Sequence, residues 1–101
     1  MVRKGNKFKM KESVFVIKVG STSLGFRVSQ EVQQTLEISS DGIAQVQILQ
    51  IMKPDNTIIP LENIFLIKRL TKGGEIIIKK SYIDMLHIED GDLLTIEYKL
   101  E

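Results

Sequence analysis

The feature that most constrains this chain is a repetition. Shifted by fifty residues, Phe26-Arg27-Val28 falls on Ile76-Ile77-Ile78, Val32 on Tyr82, Leu36 on Leu86 and Ile38 on Ile88. After one register shift, Asp41-Gly42-Ile43 matches Asp90-Gly91-Asp92. Both copies then run into alternating segments, Ala44-Gln45-Val46-Gln47-Ile48 and Leu94-Thr95-Ile96-Glu97-Tyr98. Upstream, Phe15-Val16-Ile17-Lys18-Val19 answers Phe65-Leu66-Ile67-Lys68-Arg69-Leu70, each followed by a Gly-containing turn. A repeated supersecondary unit that cannot cover its own apolar face must bury it against its copy. At 101 residues and 11.5 kDa the chain has length for one domain. We read that domain over residues 13–101 as two copies, about 13–61 and 62–101, preceded by a basic arm over 1–12.

The periodicity within each copy predicts ββαβ. Val14 to Val19 is apolar and β-branched, a buried strand. Gly20-Ser21-Thr22-Ser23 is a turn, and Gly25 to Val28 a second short strand. Ser29 is placed to cap a helix of about eight residues whose apolar stripe is Val32 and Leu36. Glu31 in its first turn suits the helix dipole. Asp41-Gly42 turns the chain into a strand over Ile43–Met52, and Lys53-Pro54-Asp55-Asn56 forms a hairpin turn to Thr57-Ile58-Ile59. Pro60, lacking an N–H, belongs at an edge. The second copy repeats the plan: strand Ile64–Leu70, turn Thr71–Gly74, strand Glu75–Lys79, helix Lys80–His87, turn Glu89–Asp92 and strand Leu93–Leu100. The expected fold class is mostly β with two short helices, a swapped-hairpin or double-psi-like barrel of two pseudo-symmetric halves.

Charge is strongly polarised. Residues 1–11 hold Arg3, Lys4, Lys7, Lys9 and Lys11 without an acid, so the remaining ninety carry nine of the fourteen bases and all thirteen acids. A second basic cluster runs from Lys68 to Lys80, where five bases meet only Glu75, and six acids face Lys99 from Asp84 onward. Such a basic arm is either a solvated tail or a phosphate-contacting segment. The absence of cysteine excludes a disulfide scaffold, a Cys-type zinc site and thiol chemistry, and the lone His87 excludes any site of two imidazoles. No apolar run approaches a membrane span, and Val14-Phe15-Val16-Ile17 is too short for the apolar region of a signal peptide. The expectation is a soluble, cytoplasmic protein.

The segment Gly74-Glu75-Ile76-Ile77-Ile78-Lys79-Lys80-Ser81-Tyr82-Ile83-Asp84-Met85-Leu86-His87-Ile88-Glu89-Asp90-Gly91-Asp92 resembles the AbrB/MazE-type swapped-hairpin motif. That motif is an Ile-rich strand, Pro-Lys, a short helix ending Leu-Gly-Ile, and a Gly-Asp turn into a strand. Leu24 to Ile38 fits the same template. Family members are mostly homodimers of roughly fifty-residue subunits with interleaved hairpins, acting as transcriptional regulators or as the DNA-binding part of antitoxins. The resemblance implies that this chain is a single-chain counterpart of such a dimer, with first-strand basic residues at Lys18, Lys68 and Arg69, loop residue Lys72, and Arg27 opening the next strand. The chain departs from the pattern at three places. Ser29 and Lys79 stand where the motif has proline, Gln33-Gln34 and Ile83-Asp84 where helix arginines are common, and Glu37 and His87 where it has glycine.

These observations predict double-stranded DNA binding. Each lysine or arginine that neutralises a phosphate releases counterions, and an arginine fork can read guanine in the major groove. The candidate contacts are Arg3, Lys4, Lys7, Lys9, Lys11, Lys18, Arg27, Lys68, Arg69 and Lys72, gathered on one face. The bland account of the same lysines is edge protection. The alternative is a protein-interaction or antitoxin-like partner-binding module, which the net negative charge beyond the arm and the missing helix arginines favour; self-association falls under it too. No enzyme is expected. Asp84, Glu89, Asp90 and Asp92 lack the spacing of a calcium-binding loop, Gly73-Gly74 has no following Lys-Ser/Thr, and no nucleophile–base pair is present. No cofactor or metal is implied. Phe26 and Tyr82 could stack on bases, but each holds an apolar repeat position and reads as core.

Overall fold

A computed structural model describes residues 8–34 and 43–100. In chain order the elements are β1 (Phe8–Phe15), β2 (Ile17–Val19), β3 (Ser23–Arg27), α1 (helical at residues 30–34), β4 (Ile43–Met52), β5 (Ile58–Pro60), β6 (Phe65–Arg69), β7 (Glu75–Ile77), α2 (Lys80–Leu86) and β8 (Leu93–Leu100). The chain is mostly β with two short helices. Among the described residues, no helix is long and apolar enough to cross a membrane.

The strands form two antiparallel sheets. The larger runs β1-β8-β4, with β5 and β6 sharing the far side of β4; the smaller runs β2-β3-β7. Alternation along β4 and β8 sends Ala44, Val46, Ile48, Leu94, Ile96 and Tyr98 inward. They meet Phe26, Val28, Ile76 and Ile78 of the smaller sheet and its flanks, and Val32 of α1 completes one contiguous core. Burying each of the valine, leucine, isoleucine and phenylalanine side chains contributes roughly 1.5–3 kcal/mol before entropy is counted. Among the described residues, Asp92 is the buried charged one. Its Oδ2 accepts from Lys53 Nζ at 2.7 Å and from the Glu89 N–H at 2.9 Å, while Oδ1 has no partner among the described residues.

The pairing between the halves is reciprocal. β3 and β7 pair Gly25 with Ile77, Phe26 with Ile76 and Arg27 with Glu75. Adding fifty to one member and subtracting fifty from the other maps the first rung onto the third and leaves the Phe26–Ile76 rung unchanged. The flanking bonds obey the same rule: Val28 N–H donates to Gly74 O and Ile78 N–H to Leu24 O, both at 2.9 Å. In the β4–β8 ladder, Val46–Tyr98 maps onto Ile48–Ile96 about the Gln47–Glu97 rung. A bulge between Ile48 and Gln50 ends the reciprocity there. Gly25 permits the β3–β7 crossing, because a Cβ on it would overlap the Ile76 carbonyl.

Three expectations need correction. The sheets do not close into a barrel: β1 and the β5/β6 pair are open edges of the larger sheet, β2 and β7 of the smaller. Closure fails because β2 leaves for the smaller sheet while its repeat counterpart, β6, stays on β4. The strand expected over Val14–Val19 breaks at Val16, whose N–H donates to Asp92 O and whose carbonyl accepts from Gly91 N–H. Residues 8–12 of the expected arm, Lys9 and Lys11 among them, lie in β1, which pairs rung by rung with β8. An unpaired β8 edge would expose a row of backbone donors and acceptors, and β1 covers it.

Candidate nucleic-acid interface

One candidate basic residue from each half, Arg27 and Lys72, lies where β3 ends against the turn before β7. Arg27 lies opposite Glu75. Its Nη1 donates to Gly73 O at 2.7 Å and its Nη2 to Glu75 Oε2 at 3.1 Å. Glu75 Oε1 accepts from the Thr71 hydroxyl at 2.7 Å, and Thr71 Oγ1 in turn accepts from the Glu75 N–H at 3.1 Å. This network holds the 71–74 turn against β3. Gly74 adopts φ +80°, and a Cβ there would fall on the amide of Gln33, whose Nε2 donates to Val28 O at 2.8 Å. The exposed Lys72 is thereby presented at the turn's tip.

Arg27 and Lys72 border a groove with Glu12, Ile17, Gln30 and Gln33. Ser29 caps α1 at the groove's side, its Oγ accepting from Val32 N–H at 3.3 Å. Glu12 has partners of its own: its Oε2 accepts from the Tyr98 hydroxyl at 2.7 Å and from Ser29 N–H at 3.4 Å. Burial, the hydrogen bond to Glu12 and that carboxylate's charge push the Tyr98 phenol well above its ordinary range. The Arg27 side chain is 61% exposed despite its two bonds, so its guanidinium keeps donors facing solvent.

The other candidates are spread over the molecule. Lys18 is exposed on β2 opposite Leu24. Lys68 is half-buried on the core side of β6, opposite buried Ala44. Arg69 and Lys11 are exposed on the outer face of the larger sheet, on strands at its opposite sides, and Lys9 sits in β1 opposite Lys99. Arg3, Lys4 and Lys7 lie outside the described residues. A single basic face is therefore not what the strand pattern produces. Alternation and the split between sheets send neighbouring bases in different directions. Phe26 is fully buried and Tyr82 packs against the core.

Sequence reasoning passed over the outer face of the larger sheet. In the strand expected over Ile64–Leu70, Phe65 is 54% and Ile67 69% exposed, and of the run Phe65-Leu66-Ile67 only Leu66 turns inward. The available signal was the adjacent Gln45 and Gln47, polar on the same face of β4. Compared with known proteins, the chain matches no family model, no curated protein and no solved structure.

Proposed function

We propose that this chain is a DNA-binding protein of the regulator type, in which two interlocked halves of one polypeptide take the place of two subunits. The observation that carries this reading is the reciprocity of the β3–β7 ladder, which brings Arg27 of the first half beside Lys72 of the second. In this reading the duplex backbone lies along the groove at that seam. Lys72 and the free donors of Arg27 contact phosphate, Lys18 extends the positive field, and the basic segment before β1 adds further contacts. The amides of Gln30 and Gln33, from the start of α1, supply neutral hydrogen bonds, Gln33 standing at one of the two positions where the AbrB/MazE-type motif has helix arginines. Electrostatic affinity of this kind is sequence-independent and falls with salt.

Fluorescence anisotropy of a labelled duplex across a salt series tests the reading. Binding should weaken linearly in log–log form, and Lys72→Ala should reduce the slope by about 1. Absence of duplex binding even at low salt rejects it. A protein-interaction module is the second reading, favoured by the exposed apolar side chains on the outer sheet face. It predicts a partner that binds equally well at high and low salt.

A further inference from the structure

The outer face of the larger sheet is crossed by an apolar row. Register aligns Phe15, Leu93, Met52 and Ile58 across four strands, and alternation turns that row away from the core. Phe15 is 62% and Ile58 52% exposed, with Leu93 and Met52 half-buried between them. Further along the same face lie the rows Lys11–Glu97–Gln47–Phe65 and Lys99–Gln45–Ile67. Exposed apolar residues scattered singly need no explanation, but their concentration on one face marks a contact surface. The ten residues of β4, at about 3.3 Å each, and four strand positions about 4.8 Å apart give this face roughly 600 Å² in projection. Two such faces together reach about 1,200 Å², where specific interfaces begin.

We infer that this face pairs with the same face of a second copy of the chain, about a twofold axis running along the seam between β8 and β4. A contact of this kind requires a surface that complements itself, and the distribution of charge selects that occupant. On this face Lys11, Glu97 and Lys99 belong to β1 and β8. Across the seam β4, β5 and β6 carry amides and apolar groups, apart from Arg69, which already has a partner. Rotation about the seam exchanges the two sides. It lays Phe15 on the second copy's Ile58 and Leu93 on its Met52, apolar on apolar. It also lays Lys11 on Phe65, Glu97 on Gln47 and Lys99 on Gln45, so no charge meets its like. A lysine over a phenylalanine ring is attracted to the ring's face, and each glutamine amide can donate to a carboxylate or accept from an ammonium. A polyanion, by contrast, finds Lys99 alone beyond the Lys11–Glu97 rung, and leaves the apolar row uncovered. The inference does not rest on the duplex reading, because none of the residues assigned to duplex contact lies on this face.

Sedimentation equilibrium of the full chain tests this. A reversible monomer–dimer equilibrium is expected, the heavier species having twice the 11.5 kDa of one chain and persisting at high salt. Phe15→Glu and Ile58→Lys alter exposed positions that meet across the axis. Each alone should weaken dimerisation about 100-fold, because it sets a charge against an apolar group at two symmetric places. The melting temperature of the monomer should stay unchanged, and the two variants mixed together should dimerise again. The milder changes Phe15→Ser and Ile58→Ser should each weaken dimerisation about tenfold. A chain that stays monomeric at every attainable concentration overturns the inference, as does a dimer that none of these changes weakens or that mixing does not restore. A monomer that binds oligo-dT, or pellets with anionic phosphatidylserine vesicles, and loses that binding in Phe65→Ala gives the face to another occupant and likewise overturns it. Dimerisation without duplex binding sinks only the duplex reading, and duplex binding by a monomer only this one.

Discussion

Between β3 and β7 every rung has a mate fifty residues away, whereas the rungs at the rim have none: β2 pairs with β3 while its repeat counterpart β6 pairs with β4. β8 is covered by the single strand β1, and β4 by two shorter ones, β5 and β6. The helices differ in the same way. α1 begins at Ser29, whose hydroxyl caps it, while α2 begins at Lys79 with no side-chain cap and is secured at its other end. There His87 takes a left-handed conformation, and Ile88 N–H closes back onto Ile83 O. Lys53, from the first half, donates to His87 O at 2.6 Å as well as to Asp92. The residue matching Asp92 in the first copy is Ile43, so that clasp runs one way only. At the centre each copy packs against its counterpart, and a change on one side must suit the other. At the rim the facing strands are not repeat mates, and there the copies are free to diverge.

The largest expected effect breaks the one-way clasp. Lys53→Met leaves the fully buried Asp92 carboxylate without its cation and should cost about 3–5 kcal/mol in urea denaturation, most of it recovered when Asp92→Leu is added. A loss under about 1 kcal/mol would mean the clasp does not join the halves. At the reciprocal centre, Gly25→Ala forces a Cβ onto the Ile76 carbonyl and should cost about 3 kcal/mol. Its mate under the fifty-residue shift, Glu75, carries a full side chain, so the close approach belongs to one side of the crossing.

Tyr98 sharpens the comparison through pH. Its mate is Ile48, which has no proton to lose; Tyr98 donates to Glu12 and is held above its ordinary value of 10.0. The folded chain therefore binds this proton more tightly than the unfolded chain. The resulting stability is fully present below pH 10 and declines as pH rises above it. Tyr98→Phe should cost about 1–2 kcal/mol at neutral pH and flatten the alkaline decline, read by thermal melts across pH. The helix starts differ by less. Ser29→Ala should lose about 1 kcal/mol and Lys79→Ser gain somewhat less, and an unchanged melting temperature in both would deny the asymmetry of caps. Smallest of all, His87→Gly should gain about 0.5 kcal/mol by relieving the left-handed residue that ends α2.

Much of the fold was legible because it is written in local patterns. β4 and β8 run over the expected residues, and Ser29 caps the helix it was expected to start. The first part of β1 was hidden by its charges: Lys9, Lys11 and Glu12 suggest a solvated arm, and Met10, packed against the core ahead of the expected strand start at Val14, is the one inward apolar hint. The candidate site was harder to read. Arg27 could be nominated by type, but not that its guanidinium would lock the 71–74 turn. Lys68 and Arg69 are neighbours in sequence that alternation sends to opposite faces of β6.

By itself the sequence determined the order of elements from β2 onward and most of the apolar positions that form the core, because hydrophobic spacing and turn chemistry act within a few residues of one another. Only the tertiary structure decided that the sheets stay open, that Asp92 is buried against Lys53, and that one sheet face keeps Phe65 and Ile67 in solvent. Those outcomes depend on which distant strand claims each edge. That choice is made by competition among backbone edges and charges far apart in the chain, and no local pattern records it.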